Sequence, residues 1–139
     1  MIKYLLDVNV LVAWGWADHV DHARAAAWIA ATKAKRGATL ATSAIPELGF
    51  VRVSLQRTGG LLPIEEVAKT LEGMLGTLGR KHTFLPDNQS SAGPWPLWCS
   101  SASGTTDAHL MALSVSHGLL LATLDERSPG AYLIPKVAV

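Results

Sequence analysis

The stretch YLLDVNVLVAWGW, residues 4–16, consists of two apolar segments with an aspartate, Asp7, between them. Residues 4–6 predict a short β-strand, and residues 10–14 predict the first helical turn after it. A carboxylate beside buried strand surface is costly unless something neutralises it. Asp7 therefore predicts either a paired side chain within the fold or a site that holds a cation.

The rest of the chain alternates between helical and strand-like segments. Helices are predicted over residues 19–35, 43–56, 63–78 and 106–117. Strands are predicted over residues 38–42, 82–86, 118–125 and 131–135. Ser43 and Thr106 stand where a side chain caps a helix, and Pro46 stands in a first turn, where proline is tolerated. This alternation predicts an α/β fold with a mainly parallel central sheet.

Composition and charge limit the possible functions. The 139 residues are 49% hydrophobic and 17% charged, which predicts one globular domain over residues 1–139. The net charge is +1, so contact with nucleic acid would depend on local clusters of basic residues. Cys99 is the single cysteine, which excludes an internal disulfide and is typical of a reducing, cytoplasmic location. Neither a signal peptide nor a membrane span is expected.

Four acidic residues stand at the ends of predicted elements. Asp7 and Asp125 follow strands, Glu47 lies in the first turns of a helix, and Asp107 begins another helix. Taken singly, three of these acids are ordinary helix-start or turn residues, and only Asp7 resists that interpretation. In an open α/β sheet, ligands bind beyond the carboxyl ends of the strands. We therefore expect the four carboxylates to converge at one edge of the sheet.

Clustered carboxylates predict a cation. They raise one another's pKa unless a positive charge neutralises them. Mg²⁺ and Mn²⁺ are hard ions that prefer oxygen ligands. An ion of this kind can lower the pKa of a water molecule and stabilise charge on phosphodiester oxygens. The acids therefore predict Mg²⁺ (or Mn²⁺) as cofactor, at a site that could act on a phosphodiester.

At these residues the chain resembles the PIN-domain family, specifically the VapC-type toxins of bacterial toxin–antitoxin pairs. The segment LLDVNVLVA resembles the opening strand of the family, with Asp7 as the first acid. The segment TSAIPELGFVRV resembles the second motif, with Glu47 as the second acid. The segment TTDAHLMALSVSHGLLLATLDE resembles the third and fourth motifs, with Asp107 and Asp125.

The resemblance implies roles for further residues and a mode of action. It makes Asp7 and Asp107 metal ligands, with Asn9, Thr123 and Arg52 in support. The implied fold is a PIN-like three-layer sandwich, and the implied activity is metal-dependent endoribonuclease cleavage that leaves a 5′-phosphate. The implied partners are an RNA substrate, a cognate antitoxin and a second copy in a homodimer.

Some features leave the substrate and function open. The sequence DERSPG stands where an Asp-Phe pair often follows the last motif, and the loop GPWPLWCSSASG is peculiar to this chain. One alternative is a degenerate PIN domain that binds RNA or protein without cleavage, although the presence of all four acids argues against it. Another is a phosphotransfer protein with Asp7 as nucleophile, but Asn9 stands where a haloacid-dehalogenase-like site would carry a second acid.

Histidines and tryptophans outside the motifs have less definite interpretations. His19 and His22 are spaced to share a helix face, but no third zinc ligand is evident, so we assign them no role. Trp95 and Trp98 lie in the loop over residues 87–104, which is rich in Ser, Gly and Pro. They could stack an RNA base, contact an antitoxin or close the loop.

Overall fold

The computed structural model describes residues 2–137, and its elements follow the predicted order. The strands are β1 (Lys3–Leu6), β2 (Thr39–Ser43), β3 (His82–Leu85), β4 (Leu120–Thr123) and β5 (Tyr132–Leu133). The helices are α1 (Val8–Gly15), α2 (His22–Lys33), α3 (Ala44–Arg57), α4 (Ile64–Leu78) and α5 (Thr105–Ser116). Short 3₁₀ turns precede β3 and α5, at Gly79–Lys81 and Ala102–Gly104.

The strands form one sheet in the order β3–β2–β1–β4–β5, and every neighbouring pair is parallel. At the centre, Leu5 of β1 lies opposite Ala41 of β2 and Leu121 of β4. The predicted α/β class is therefore confirmed, and the sheet is parallel throughout its described strands. Because all strands run the same way, their carboxyl ends lie at one edge, where ligands bind in such sheets.

Side chains of the central strand β1 alternate between two cores. Leu6 packs with Val10 and Phe50 in the larger core, under α1–α4. Leu5 packs with Leu110, from α5, in the smaller core on the opposite face. Strands buried on both faces read as continuous apolar runs, which explains the composition of β1 and β4. Helices cover both faces, so the predicted three-layer arrangement is also confirmed.

Two predicted helix caps are wrong. Ser43 occupies the cap position of α3, but its hydroxyl donates to the carbonyl of Leu85 at 2.9 Å instead of accepting from the helix. The Ser43 hydroxyl therefore bonds the neighbouring strand β3 and not the first turn of α3, where capping preferences would place its bond. Helix α5 begins at Thr105 after Gly104, so Thr106 lies within the first turn and does not cap it.

Helix α3 approaches α1 closely at Gly49. A Cβ atom at this position would lie 2.7 Å from a methyl carbon of Val8. We expect Gly49→Ala to lower the free energy of unfolding by about 1–3 kcal/mol because the two helices would have to separate. The matched control is Gly73→Ala in α4, where an added Cβ meets nothing within 4 Å. That substitution should raise stability by up to about 1 kcal/mol, because alanine favours the helix. Chemical denaturation measures both, and equal effects would contradict the close packing.

Candidate functional site

Asp7 connects the central strand to the first helix at the carboxyl edge of the sheet. Asp7 is buried, with 3% of its surface exposed. One carboxylate oxygen, Oδ1, accepts a hydrogen bond from the backbone N–H of Val8 at 2.7 Å, and the other, Oδ2, accepts from the Thr123 hydroxyl at 2.8 Å. The backbone N–H of Asp7 donates to the carbonyl of Ala122 at 3.0 Å. The carboxylate is therefore fixed in orientation between β1 and the end of β4.

Thr123 joins three polar groups of the site through one hydroxyl. Its O–H donates to Asp7, and its oxygen accepts from Asn9 Nδ2 at 3.1 Å and from the backbone N–H of Asp125 at 3.1 Å. Asn9 is held in turn, because its Oδ1 accepts from the backbone N–H of Leu124 at 3.1 Å. The hydroxyl has a single proton, so its donation to Asp7 settles the direction of the other two bonds.

Two more carboxylates lie close enough to Asp7 to change its ionisation. Burial raises the pKa of Asp7 to about 6, the Thr123 hydrogen bond opposes this rise, and the charges of Asp107 and Asp125 add to it. Burial likewise raises the pKa of Asp107, and the charge of Asp125 contributes. Proximity of like charges disfavours ionisation of each carboxyl group. Asp7, Asp107 and Asp125 thus form one electrostatic cluster, which we call the acid cluster.

The acid cluster is only partly compensated by neighbouring groups. Arg127 donates to Asp125 from its backbone N–H at 2.9 Å and from Nε at 3.1 Å, and these bonds lower the pKa of Asp125. The Arg127 side chain is exposed, so solvent screens its charge. The buried hydroxyl of Ser128 lowers the pKa of Asp107 by its proximity, yet it completes no hydrogen bond with residues 2–137.

An open cavity of about 370 Å³ lies beside Asp7 and Asp107. The exposed Arg52 lines it, as does Asn9. His19 also lines it, a residue to which sequence reasoning gave no role. The Nδ1 atom of His19 accepts from the backbone N–H of Asp21 at 3.0 Å. The one sequence signal for His19 at the cavity is its position shortly after α1, the helix that begins next to Asp7.

Glu47, the fourth predicted acid, is held by its own hydrogen bonds, and its charge is not among those that shift the pKa of Asp7 or Asp107. Its Oε2 accepts from the Thr42 hydroxyl at 2.6 Å, and the same hydroxyl contacts His82 Nε2 at 2.7 Å. Glu47 does not line the cavity beside Asp7. Across residues 2–137, no three Asp, Glu, His or Cys side chains are already arranged to hold a metal ion. Glu47 is instead fixed by β2 and β3.

The donors of the acid cluster fit a hard divalent cation. Asp7, Asp107 and Asn9 line the cavity, and each carries side-chain oxygen, the donor that Mg²⁺ and Mn²⁺ prefer. Burial is the main cause of the raised pKa of Asp7 and of Asp107, and the charges of neighbouring carboxylates add to it. A bound cation would relieve that repulsion, so these two carboxylates are the ones that could hold it.

The parallel sheet, its helical layers and the acid cluster at its carboxyl edge define an α/β domain, and comparison with known proteins identifies its family. Ribonuclease VapC39 of Mycobacterium tuberculosis is 38% identical over 128 residues, which are 87% of this chain and 87% of VapC39. Ribonucleases VapC38 and VapC44 of the same organism are each 37% identical and cover 87% and 90% of this chain, and 84% and 87% of their own lengths. No family model matches the chain.

A solved structure supports the same assignment at the level of the fold. The crystal structure of Mycobacterium tuberculosis VapC20, described as a toxin that cleaves the sarcin–ricin loop, matches with a TM-score of 0.58. The match covers 91% of both chains at 12% sequence identity. The chain belongs to the VapC family of PIN-domain ribonuclease toxins.

Proposed function

We propose that the chain is a Mg²⁺- or Mn²⁺-dependent endoribonuclease whose catalytic residues are Asp7, Glu47, Asp107 and Asp125. The observation that carries the proposal is the state of Asp7, which is buried beside two like charges and has a pKa raised to about 6. Such an arrangement disfavours the ionised carboxylate unless a cation is bound nearby. A divalent cation bound there could activate water and stabilise charge on a phosphodiester, which is the chemistry of a metal-dependent nuclease.

Asp7 and Asp107 would hold the cation, because both line the cavity. When bound, the cation supplies a Lewis acid that lowers the pKa of water and neutralises charge on phosphate oxygens. Thr123 keeps the Asp7 carboxylate oriented, and Asn9 secures Thr123. The lowered pKa of Asp125 keeps its charge at neutral pH, which strengthens attraction for the cation.

Arg52 is the candidate for binding the substrate phosphate. It is exposed, lines the same cavity as Asp7 and Asp107, and carries a planar guanidinium that bonds phosphate oxygens in pairs. The alternative with Asp7 as nucleophile is disfavoured, because Asn9, which stands where such a site would carry a second acid, is held by Thr123 and Leu124.

Partners and location follow from family membership and remain part of the proposal. We propose a single PIN-like domain that acts in the cytoplasm on RNA, forms a homodimer and is neutralised by a cognate antitoxin. Several large apolar side chains are exposed and could be covered in these complexes: Leu61, Ile64, Phe84, Leu97, Val115 and Leu120. Within residues 2–137, no helix has the length and hydropathy needed to cross a membrane.

Cleavage assays with defined RNAs test the proposed function. A sarcin–ricin stem-loop, chosen because of the activity described for VapC20, would be compared with transfer RNA and an unstructured RNA. We expect cleavage of at least one RNA in Mg²⁺ or Mn²⁺, none in EDTA, and products with 5′-phosphate ends. Cleavage that persists in EDTA would contradict the role of the metal. RNA binding without cleavage under any metal condition would favour the degenerate domain.

A further inference from the structure

Glu47, Thr42 and His82 form a row of hydrogen bonds that ends on the edge strand β3. Thr42, at the end of β2, is fully buried and donates its hydroxyl proton to Glu47 Oε2 at 2.6 Å. His82, the first residue of β3, places Nε2 at 2.7 Å from the same hydroxyl oxygen. The register of the sheet creates this proximity. His82 lies opposite Leu40 on β2, and Thr42, two residues further along, lies on the same face of that strand as Leu40.

The chemistry of the three groups fixes the direction of both bonds. An ionised carboxylate only accepts, so the Thr42 hydroxyl must donate to Glu47. The hydroxyl oxygen can then accept a proton from His82, which places a hydrogen on Nε2. Burial lowers the pKa of His82, although the charge of Glu47 opposes this. A neutral His82 with its proton on Nε2 therefore donates to Thr42, while Thr42 donates to Glu47.

The contacts leave the other oxygen of Glu47 available. Oε2 is engaged by Thr42, whereas Oε1 accepts no hydrogen bond from residues 2–137. Glu47 lies in the first turn of α3, directly after the carboxyl end of β2. Removal of a group that hydrogen-bonds to a metal-ligating side chain commonly lowers metal affinity or activity by about 10–100-fold.

We propose that Thr42 and His82 are positioning residues, which hold the Glu47 carboxylate so that its free oxygen contributes to the cation site. This inference rests on the proposed metal-dependent function. It adds the residues that determine how much divalent cation the enzyme needs. Neither residue touches the reacting atoms, so their effect should appear in the cation requirement before the turnover at saturating cation.

Paired substitutions separate positioning from simple packing. Thr42→Val and His82→Met remove the hydrogen bonds but keep similar volume, whereas Thr42→Ser and His82→Gln keep a hydroxyl and a side-chain N–H donor. We expect the Mg²⁺ concentration for half-maximal cleavage to rise about 10-fold in the first pair and to return to within about 3-fold of wild type in the second. The turnover at saturating Mg²⁺ should change far less than the half-activating concentration.

Two matched controls test for a general loss of stability. Ser43→Ala removes another buried hydroxyl on β2, one that donates to Leu85 at 2.9 Å. His109→Met breaks a mostly buried contact of 2.7 Å with Asp87, in which Glu47 takes no part. Both should keep the wild-type cation requirement. If they shift it as much as His82→Met does, the positioning role is overturned.

A double substitution gives the sharpest result. In a Glu47→Gln background, His82→Met should cause no further change in Mn²⁺ affinity, because its effect acts through Glu47. Calorimetric Mn²⁺ titration measures this without requiring activity, and circular dichroism checks the fold of each variant. Should Thr42→Val fail to fold, the His82→Met and His82→Gln pair still decides. Additive effects, or wild-type affinity in His82→Met, would overturn the proposal. Wild-type protein that never cleaves RNA with metal would instead refute the proposed function.

Discussion

Asp7→Asn is expected to reduce RNA cleavage by at least about 10²–10³-fold, the scale on which preorganised electrostatic groups contribute to catalysis. Asparagine keeps an oxygen that can accept from the Val8 N–H, which bonds Asp7 at 2.7 Å, so the fold should survive. The lost negative charge removes one of the two carboxylates that would hold the cation. Initial rates on the cleaved RNA, measured at saturating Mg²⁺, give the effect.

A surface substitution provides the control for Asp7→Asn. Asp18 is exposed and pairs with Arg57 at 2.9 Å, outside the acid cluster. Exposed ion pairs contribute about 0–1 kcal/mol, so Asp18→Asn should change neither stability nor cleavage appreciably. We expect Asp107→Asn to match the loss caused by Asp7→Asn. Wild-type rates in both cluster variants, with the RNA still cleaved, would place the active site elsewhere.

The second large effect concerns the pH dependence of stability without metal. Asp7 has a pKa of about 6 in the folded protein against an ordinary value of 3.8. The folded state therefore binds more protons than the unfolded state between these values, and the free energy of unfolding falls as pH rises through this window. The loss attributable to Asp7 is about 3 kcal/mol, since each pKa unit corresponds to about 1.4 kcal/mol. Asp107, whose pKa is also raised, acts in the same direction.

Denaturation in EDTA across about pH 4 to pH 7 measures this loss. In saturating Mg²⁺ the decline should be smaller, because the cation binds the ionised acid cluster and stabilises the folded state. Asp7→Asn should flatten the pH dependence and be more stable than wild type above about pH 6 without metal. A wild-type stability that rises with pH through this window would contradict a buried, crowded Asp7.

The sequence predicts the parts of the site that depend on local position. Asp7 follows an apolar strand, and a parallel sheet brings the ends of neighbouring strands together, so its proximity to Asp125 could be expected. The resemblance to PIN domains added Thr123, and the structure places its hydroxyl 2.8 Å from Asp7. The fold class was predictable for the same reason, because alternating strands and helices have few compact arrangements.

Contacts between distant segments account for what the sequence did not predict. The register of β2 with β3 brings His82 to Thr42, and Thr42 in turn fixes one oxygen of the Glu47 carboxylate. The same strand β3 takes the Ser43 hydroxyl through Leu85, against the local preference for capping α3. Neither contact leaves a local signal in the sequence.

Calorimetric titration of the purified protein with Mn²⁺ near neutral pH shows whether Asp7 and Asp107 hold a divalent cation. We predict saturable binding to wild type and to Asp18→Asn with the same affinity. Asp7→Asn and Asp107→Asn should each bind Mn²⁺ at least about 10-fold more weakly, since each lacks one charged oxygen ligand. Equal affinity in all four proteins would contradict that role of the two carboxylates.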